Sequence, residues 1–132
     1  MPRLTLPLAL LPLAACASVQ DMAPPADTSR IAADGALVGI GQPVRVGPAL
    51  LTPVQVTEDS RCPINARCVW AGEVKLRTLV QTAAGRQVVE LTLGEPHSMA
   101  IGTFALVTVE PGQRASMPDI PTEQYRFVFE YR

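Results

Sequence analysis

The sequence predicts an all-β chain: a small antiparallel β-sandwich of six to seven strands, with a small β-barrel as the alternative. Three observations predict it. Thirteen prolines and nine glycines are spread over 132 residues, which interrupts helices and favours short strands joined by turns. Several stretches alternate apolar and polar residues with a period of two, the pattern of a strand with one buried face. Turn residues separate those stretches, at Gly47-Pro48, Ala83-Ala84-Gly85 and Pro111-Gly112.

The expected division of the chain is a leader over residues 1–15, a lipidated cysteine with a flexible tether over 16–36, and a β-domain over 37–132. Arg3 supplies the positive start of an export signal, and Leu4 to Leu13 is a short apolar run broken by Pro7 and Pro12. Such a segment reads as a cleaved leader and not as a membrane span. It ends in Leu13-Ala14-Ala15-Cys16, which resembles the bacterial lipobox, where small residues precede a cysteine that is acylated and becomes the first residue. The alternative is an ordinary signal peptide cut after Ala15 or Ala17. Lipidation of Cys16 leaves Cys62 and Cys68 as an even pair. Two or more acyl chains on one residue anchor stably where one chain is marginal. Ala17, where an aspartate would retain the protein at the inner membrane, resembles outer-membrane sorting. The expected location is therefore the cell envelope, lipid-anchored at the outer membrane and facing the periplasm. The tether that follows, rich in alanine, proline, aspartate and serine, shows no apolar period.

Within the domain, Gln42 to Val46 predicts a first strand with Val44 and Val46 on one face. Ala49 to Thr57 predicts a second, with Val54 and Val56 facing one way and Pro53 marking an edge or a bulge. Val69 to Thr82 predicts the longest strand. Its inward face runs through Trp70, Gly72, Val74, Leu76, Thr78 and Val80, and its outward face carries Glu73, Lys75, Arg77 and Gln81. The strand returns over Arg86 to Leu93, with Val89, Leu91 and Leu93 inward. Gly94 to Gly102 reads as a connection with one helical turn near Ser98. Thr103 to Glu110 is a further strand, Gln113 to Pro121 an irregular crossing, and Gln124 to Tyr131 a closing strand. Tyr125, Phe127, Phe129 and Tyr131 form an aromatic stripe on the closing strand, read as core.

Between the second and third predicted strands lies Glu58 to Glu73, EDSRCPINARCVWAGE. Cys62 and Cys68 flank Pro63-Ile64-Asn65-Ala66-Arg67, a compact loop able to bring two sulfurs together. In an exported chain a structural disulfide is expected, worth roughly 2 kcal/mol for a loop this short. The spacing exceeds that of a zinc pair and lacks the redox signature C-x-x-C. Asp59-Ser60-Arg61-Cys62-Pro63, four variable positions, then Cys68-Val69-Trp70-Ala71-Gly72-Glu73 resembles a pattern in small uncharacterised bacterial secreted proteins and lipoproteins. That resemblance implies a signal peptide, a short linker and one β-rich domain; it implies no catalytic residues.

The remaining chemistry is sparse. A net charge of −1 without a basic run points away from nucleic acid. Beyond the leader there is no apolar run of eighteen residues, so no transmembrane helix is expected. His97 is the single histidine, and no serine or cysteine sits in a nucleophile elbow. His97-Ser98-Met99 with Met117 offers a weak Cu(I)-type ligand set. The expected function is a non-enzymatic binding or structural module with no cofactor and no metal. Its partners would be the membrane, through the N-terminal lipid, and an envelope protein or cell-wall component. A partner would touch Glu58, Asp59, Arg61, Asn65 and Arg67 on the cysteine loop. The alternative is a periplasmic copper-binding protein or a small enzyme using His97.

Overall fold

The structure of the protein is a computed structural model that describes residues 31–116 and 119–132. The leader, Cys16, most of the tether, Met117 and Pro118 lie outside the described residues.

Among the described residues seven strands form two antiparallel sheets packed face to face. One sheet has the order β1-β2-β3-β4, from β1 (Val44–Val46), β2 (Ala49–Asp59), β3 (Val74–Thr82) and β4 (Gly85–Thr92). The other has the order β5-β6-β7, from β5 (Pro96–Met99), β6 (Gly102–Glu110) and β7 (Arg126–Tyr131). The all-β sandwich follows the sequence pattern, and the sheets do not close into a barrel. The chain passes from one sheet to the other at Leu93-Gly94. There Leu93 N donates to Val74 O at 2.9 Å and Gly94 N donates to Leu106 O at 2.9 Å.

The core lies between the inner faces. Leu51, Leu76 and Leu91 meet Phe104, Leu106, Phe127 and Phe129, all buried. Burying each such side chain contributes about 1.5–3 kcal/mol, so this layer dominates the favourable terms. On β3 the residues at 74, 76, 78 and 80 are buried and those between them are not, as the alternation predicts. Three of the four aromatics of the closing stripe, Tyr125, Phe127 and Phe129, are buried core residues. The fourth, Tyr131, is partly exposed and closes one end of the sandwich.

Four expectations are corrected. First, β3 begins at Val74, and β2, with 11 residues, is the longest strand among the described residues. Trp70 is not in the core: it is 67 % exposed. Gly72 has φ +70° with its backbone hard against Ser60, a conformation that interrupts the period-two alternation. Second, Val54 faces outward, because the β2–β3 register shifts between Pro53 and Gln55 and again between Val56 and Glu58. Pro53 thus marks a bulge. Third, the 94–102 connection holds a strand, β5, paired with β6 from Pro96↔Ala105 to Met99↔Gly102. Fourth, ordered pairing starts ahead of Leu37. Ala32 bridges Val44 in parallel, and Val38, fully buried, bridges Phe127.

Candidate functional site

The cysteine loop grows out of β2 and returns into β3. At its neck Ser60 N donates to Glu73 O at 2.8 Å and Cys62 N donates to Ala71 O at 2.9 Å, so the ladder continues irregularly past Asp59. Cys62 and Cys68 form a disulfide with Cα atoms 5.9 Å apart. Within the ring Ala66 N donates to Pro63 O at 3.0 Å, a turn started by proline. The crossing segment holds the loop from the other side. Ile64 N donates to Gln113 O at 2.9 Å, and the Asn65 Oδ1 accepts from Ala115 N at 2.9 Å.

Beneath the loop a charged cluster ties the two sheets together. Arg61 Nε and Nη2 donate to Asp59 Oδ1 and Oδ2 at 2.8 and 2.7 Å, a bidentate pair. The same guanidinium reaches the other sheet: Nη1 donates to Val109 O at 2.9 Å and Nη2 to Pro111 O at 2.9 Å. Tyr125 OH donates to Asp59 Oδ2 at 2.8 Å, and Gln113 Nε2 donates to Asp59 O at 2.9 Å. Burial pushes the Asp59 carboxyl upward. The hydrogen bonds from Arg61 and Tyr125 and the Arg61 charge outweigh that, and its pKa lies below the usual value. Burial and the adjacent Asp59 carboxylate raise the Tyr125 phenol well above its ordinary range. On the outer face Lys75 Nζ sits between Glu73 Oε1 at 2.8 Å and Glu58 Oε2 at 3.0 Å. Those two carboxylates raise the lysine pKa, and the Lys75 hydrogen bond lowers that of Glu58.

The five residues expected to meet a partner therefore have different duties. Asp59 and Arg61 brace the sheets, Glu58 pairs with Lys75, and Asn65 holds the crossing segment. Arg67 is exposed. Sequence reasoning missed the loop's outward apolar residues, Ile64 at 64 %, Val69 at 104 % and Trp70 at 67 % exposure. The glycine at 72 inside an apparent strand was the available signal, since such a glycine marks a bulge or a close backbone approach. For Tyr125 and Gln113, distant in sequence, no local signal existed.

A cleft of about 360 Å³ lies beside the brace, between the edge of β2 from Val54 to Asp59 and the residues Ile120, Thr122 and Tyr125. Its acids are Glu58, Asp59 and Asp119. His97 does not line it. His97 is on β5 opposite Phe104, and Met99, two residues on, packs against the core; Met117 lies outside the described residues. Among the described residues no group of three or more His, Cys, Asp or Glu could hold a metal ion. No family model, no curated protein and no solved structure matches the chain.

Proposed function

We propose that the protein is a lipid-anchored module of the bacterial cell envelope that acts by binding, with the cysteine loop as its contact surface. The observation that carries this reading is the combination of a firmly held loop with exposed large apolar side chains on it. Disulfide, neck hydrogen bonds and the Arg61 brace hold the loop from both sheets, yet Ile64, Val69 and Trp70 point away from the core. Large apolar residues grouped on a surface mark interaction sites in soluble domains. A pre-organised loop loses little conformational entropy on binding, and tryptophan and arginine are enriched among the residues that dominate binding energy. The acids at the loop neck, Glu58, Asp59 and Glu73, are committed to Lys75 and Arg61, which favours a binding role over acid–base chemistry. The residues Leu13-Ala14-Ala15-Cys16 support acylation of Cys16, and Ala17 after it supports placement at the outer membrane on the periplasmic side.

Two measurements test the reading. Cys16→Ser should abolish acylation and move the protein from the membrane fraction to the soluble one. An unmodified intact mass in the wild type, with unchanged fractionation of the variant, would refute the anchor. Trp70→Ala combined with Arg67→Ala should leave stability within about 0.5 kcal/mol of wild type, because both side chains are exposed. The same variant should lose binding, while Ala84→Glu in the β3–β4 turn should retain it. A loop variant that binds as wild type does would remove the loop from the contact.

A further inference from the structure

The chemistry of the loop's outward face defines what it meets. Ile64 within the disulfide ring and Val69 and Trp70 just after it are exposed apolar side chains, and Arg67, also exposed, supplies a cation within the ring. Arg114 is held alongside, because Ile64 N and Asn65 Oδ1 bond to Gln113 O and Ala115 N on either side of it. Among the described residues neither arginine enters an ion pair. Two acids at the neck, Glu58 and Glu73, share Lys75. Tryptophan beside aliphatic residues with arginines at the rim is the composition that partitions to the headgroup–acyl boundary of a bilayer.

The topology puts that face within reach of a membrane. Ala32 runs parallel to β1 and so antiparallel to β2. Traced backwards from Ala32 to Ile31, the chain heads toward the end of the sandwich where the loop sits. Ala32 is level with Leu51 through Val44. From there to Asp59 β2 spans the length of β3 from Val80 to Val74, roughly 20 Å. Fifteen residue steps separate Cys16 from Ile31, and at full extension they cover at most roughly 50 Å. A lipid on Cys16 thus holds the loop at high effective concentration over the same bilayer.

We propose that the loop is a second membrane contact, in which Trp70, Val69 and Ile64 enter the headgroup–acyl boundary while Arg67 and Arg114 face lipid phosphates. The first contact is the acyl anchor, so the proposal rests on the lipoprotein reading above. The second contact fixes the orientation of the domain and leaves the opposite end, with the Tyr131 closure, facing the periplasm.

Trp70 is the one tryptophan of the chain, so its fluorescence reports on the loop alone. The acylated mature protein is reconstituted into vesicles of phosphatidylethanolamine and phosphatidylglycerol, with or without brominated acyl chains. Trp70 emission should shift to shorter wavelength and be quenched by the brominated lipid. Val69→Asp, at a position with no packing to lose, should abolish the quenching while the protein still floats with the vesicles. Arg67→Ala/Arg114→Ala should weaken it, most at low salt. Protein that floats with Trp70 unquenched overturns the second contact and leaves the anchor standing. Quenching unchanged in Val69→Asp also overturns it, since mere proximity would then explain the signal. A blue shift that needs added envelope proteins assigns the loop to a protein partner and overturns the lipid assignment. Wild-type protein that does not float refutes the anchor and the proposal with it.

Discussion

Asp59 shows how one carboxylate can set the geometry of a whole region. Its side chain is 7 % exposed and that of Arg61 15 %, so the pair sits in a poorly solvated site where each charge depends on the other. Arg61 uses its remaining donors on Val109 O and Pro111 O, turning an ion pair within one sheet into a strut to the next. Asp59→Asn keeps the shape but removes the charge and leaves the guanidinium under-compensated, so it should lower stability by about 3 kcal/mol in a urea melt. The sign of the pH dependence follows from the lowered carboxyl pKa. The contribution is complete above the unfolded-state value of about 4 and is lost as pH falls through the lower folded-state value. Tyr125 acts oppositely: its raised pKa makes a contribution present below about pH 10 that is lost as pH rises further. Wild-type stability should therefore fall below about pH 4 with a steeper acid limb than that of Asp59→Asn. Equal acid limbs in the two proteins would mean that the pair carries no stability.

At the scale of the strand, β2 and β3 explain both what the sequence disclosed and what it hid. β3 alternates regularly, and its face was legible from Val74 onward because period two is the direct consequence of the pleat. β2 carries two extra residues, at Val54 and Thr57, between Leu51↔Val80 and Asp59↔Val74. Each bulge reverses which parity faces inward. The inward set therefore runs Leu51, Pro53, Val56, Asp59, a sequence that no single period describes. Val54 and Val56 look equivalent in the sequence only because the bulge lies in the pairing and not in the residue types. The same applies to β5: Pro96–Met99 is too short and too polar to announce itself, and its strand character comes from β6 alongside. Tertiary pairing decided these elements. One consequence concerns Thr78, which faces Pro53 across the ladder, is fully buried, and has an Oγ1 without a hydrogen-bond partner. Thr78→Val keeps the branched shape and removes an unsatisfied hydroxyl, so it should raise stability by about 1 kcal/mol. A loss of stability in thermal melts would place a buried water on that hydroxyl.

For the whole molecule, the sandwich is closed at both ends by an aromatic residue near β7, and the two closures are built differently. At the loop end Tyr125 joins Asp59 and Arg61. At the other end the Tyr131 ring lies over Gly47 in the β1–β2 turn and Gly102 at the start of β6, positions where a Cβ would collide with it. Its hydroxyl donates to Ile101 O at 2.7 Å, and its ring centroid is 5.3 Å from that of Phe104. β6 runs from Gly102 beside Tyr131 to Glu110 beside the brace, roughly 25 Å. The closures share no partner, so their contributions to stability should add. Tyr131→Ala should cost about 2 kcal/mol, less than a fully buried aromatic because the residue is 38 % exposed. Combined with Asp59→Asn, the loss should equal the sum of the single losses within about 0.5 kcal/mol. The disulfide belongs to the loop end and should behave otherwise. Cys62→Ala/Cys68→Ala alone should cost about 2 kcal/mol, since Arg61 and the neck hydrogen bonds still hold the base. Made in the Asp59→Asn background, it removes the second of two constraints on one loop, and the combined loss should exceed the sum of the two by more than about 0.5 kcal/mol. Chemical denaturation of the wild type, the three variants and the two combinations measures both cycles. Additivity at the loop end would mean that the brace and the disulfide do not hold a common element, and coupling between the ends would mean that the two closures are not independent.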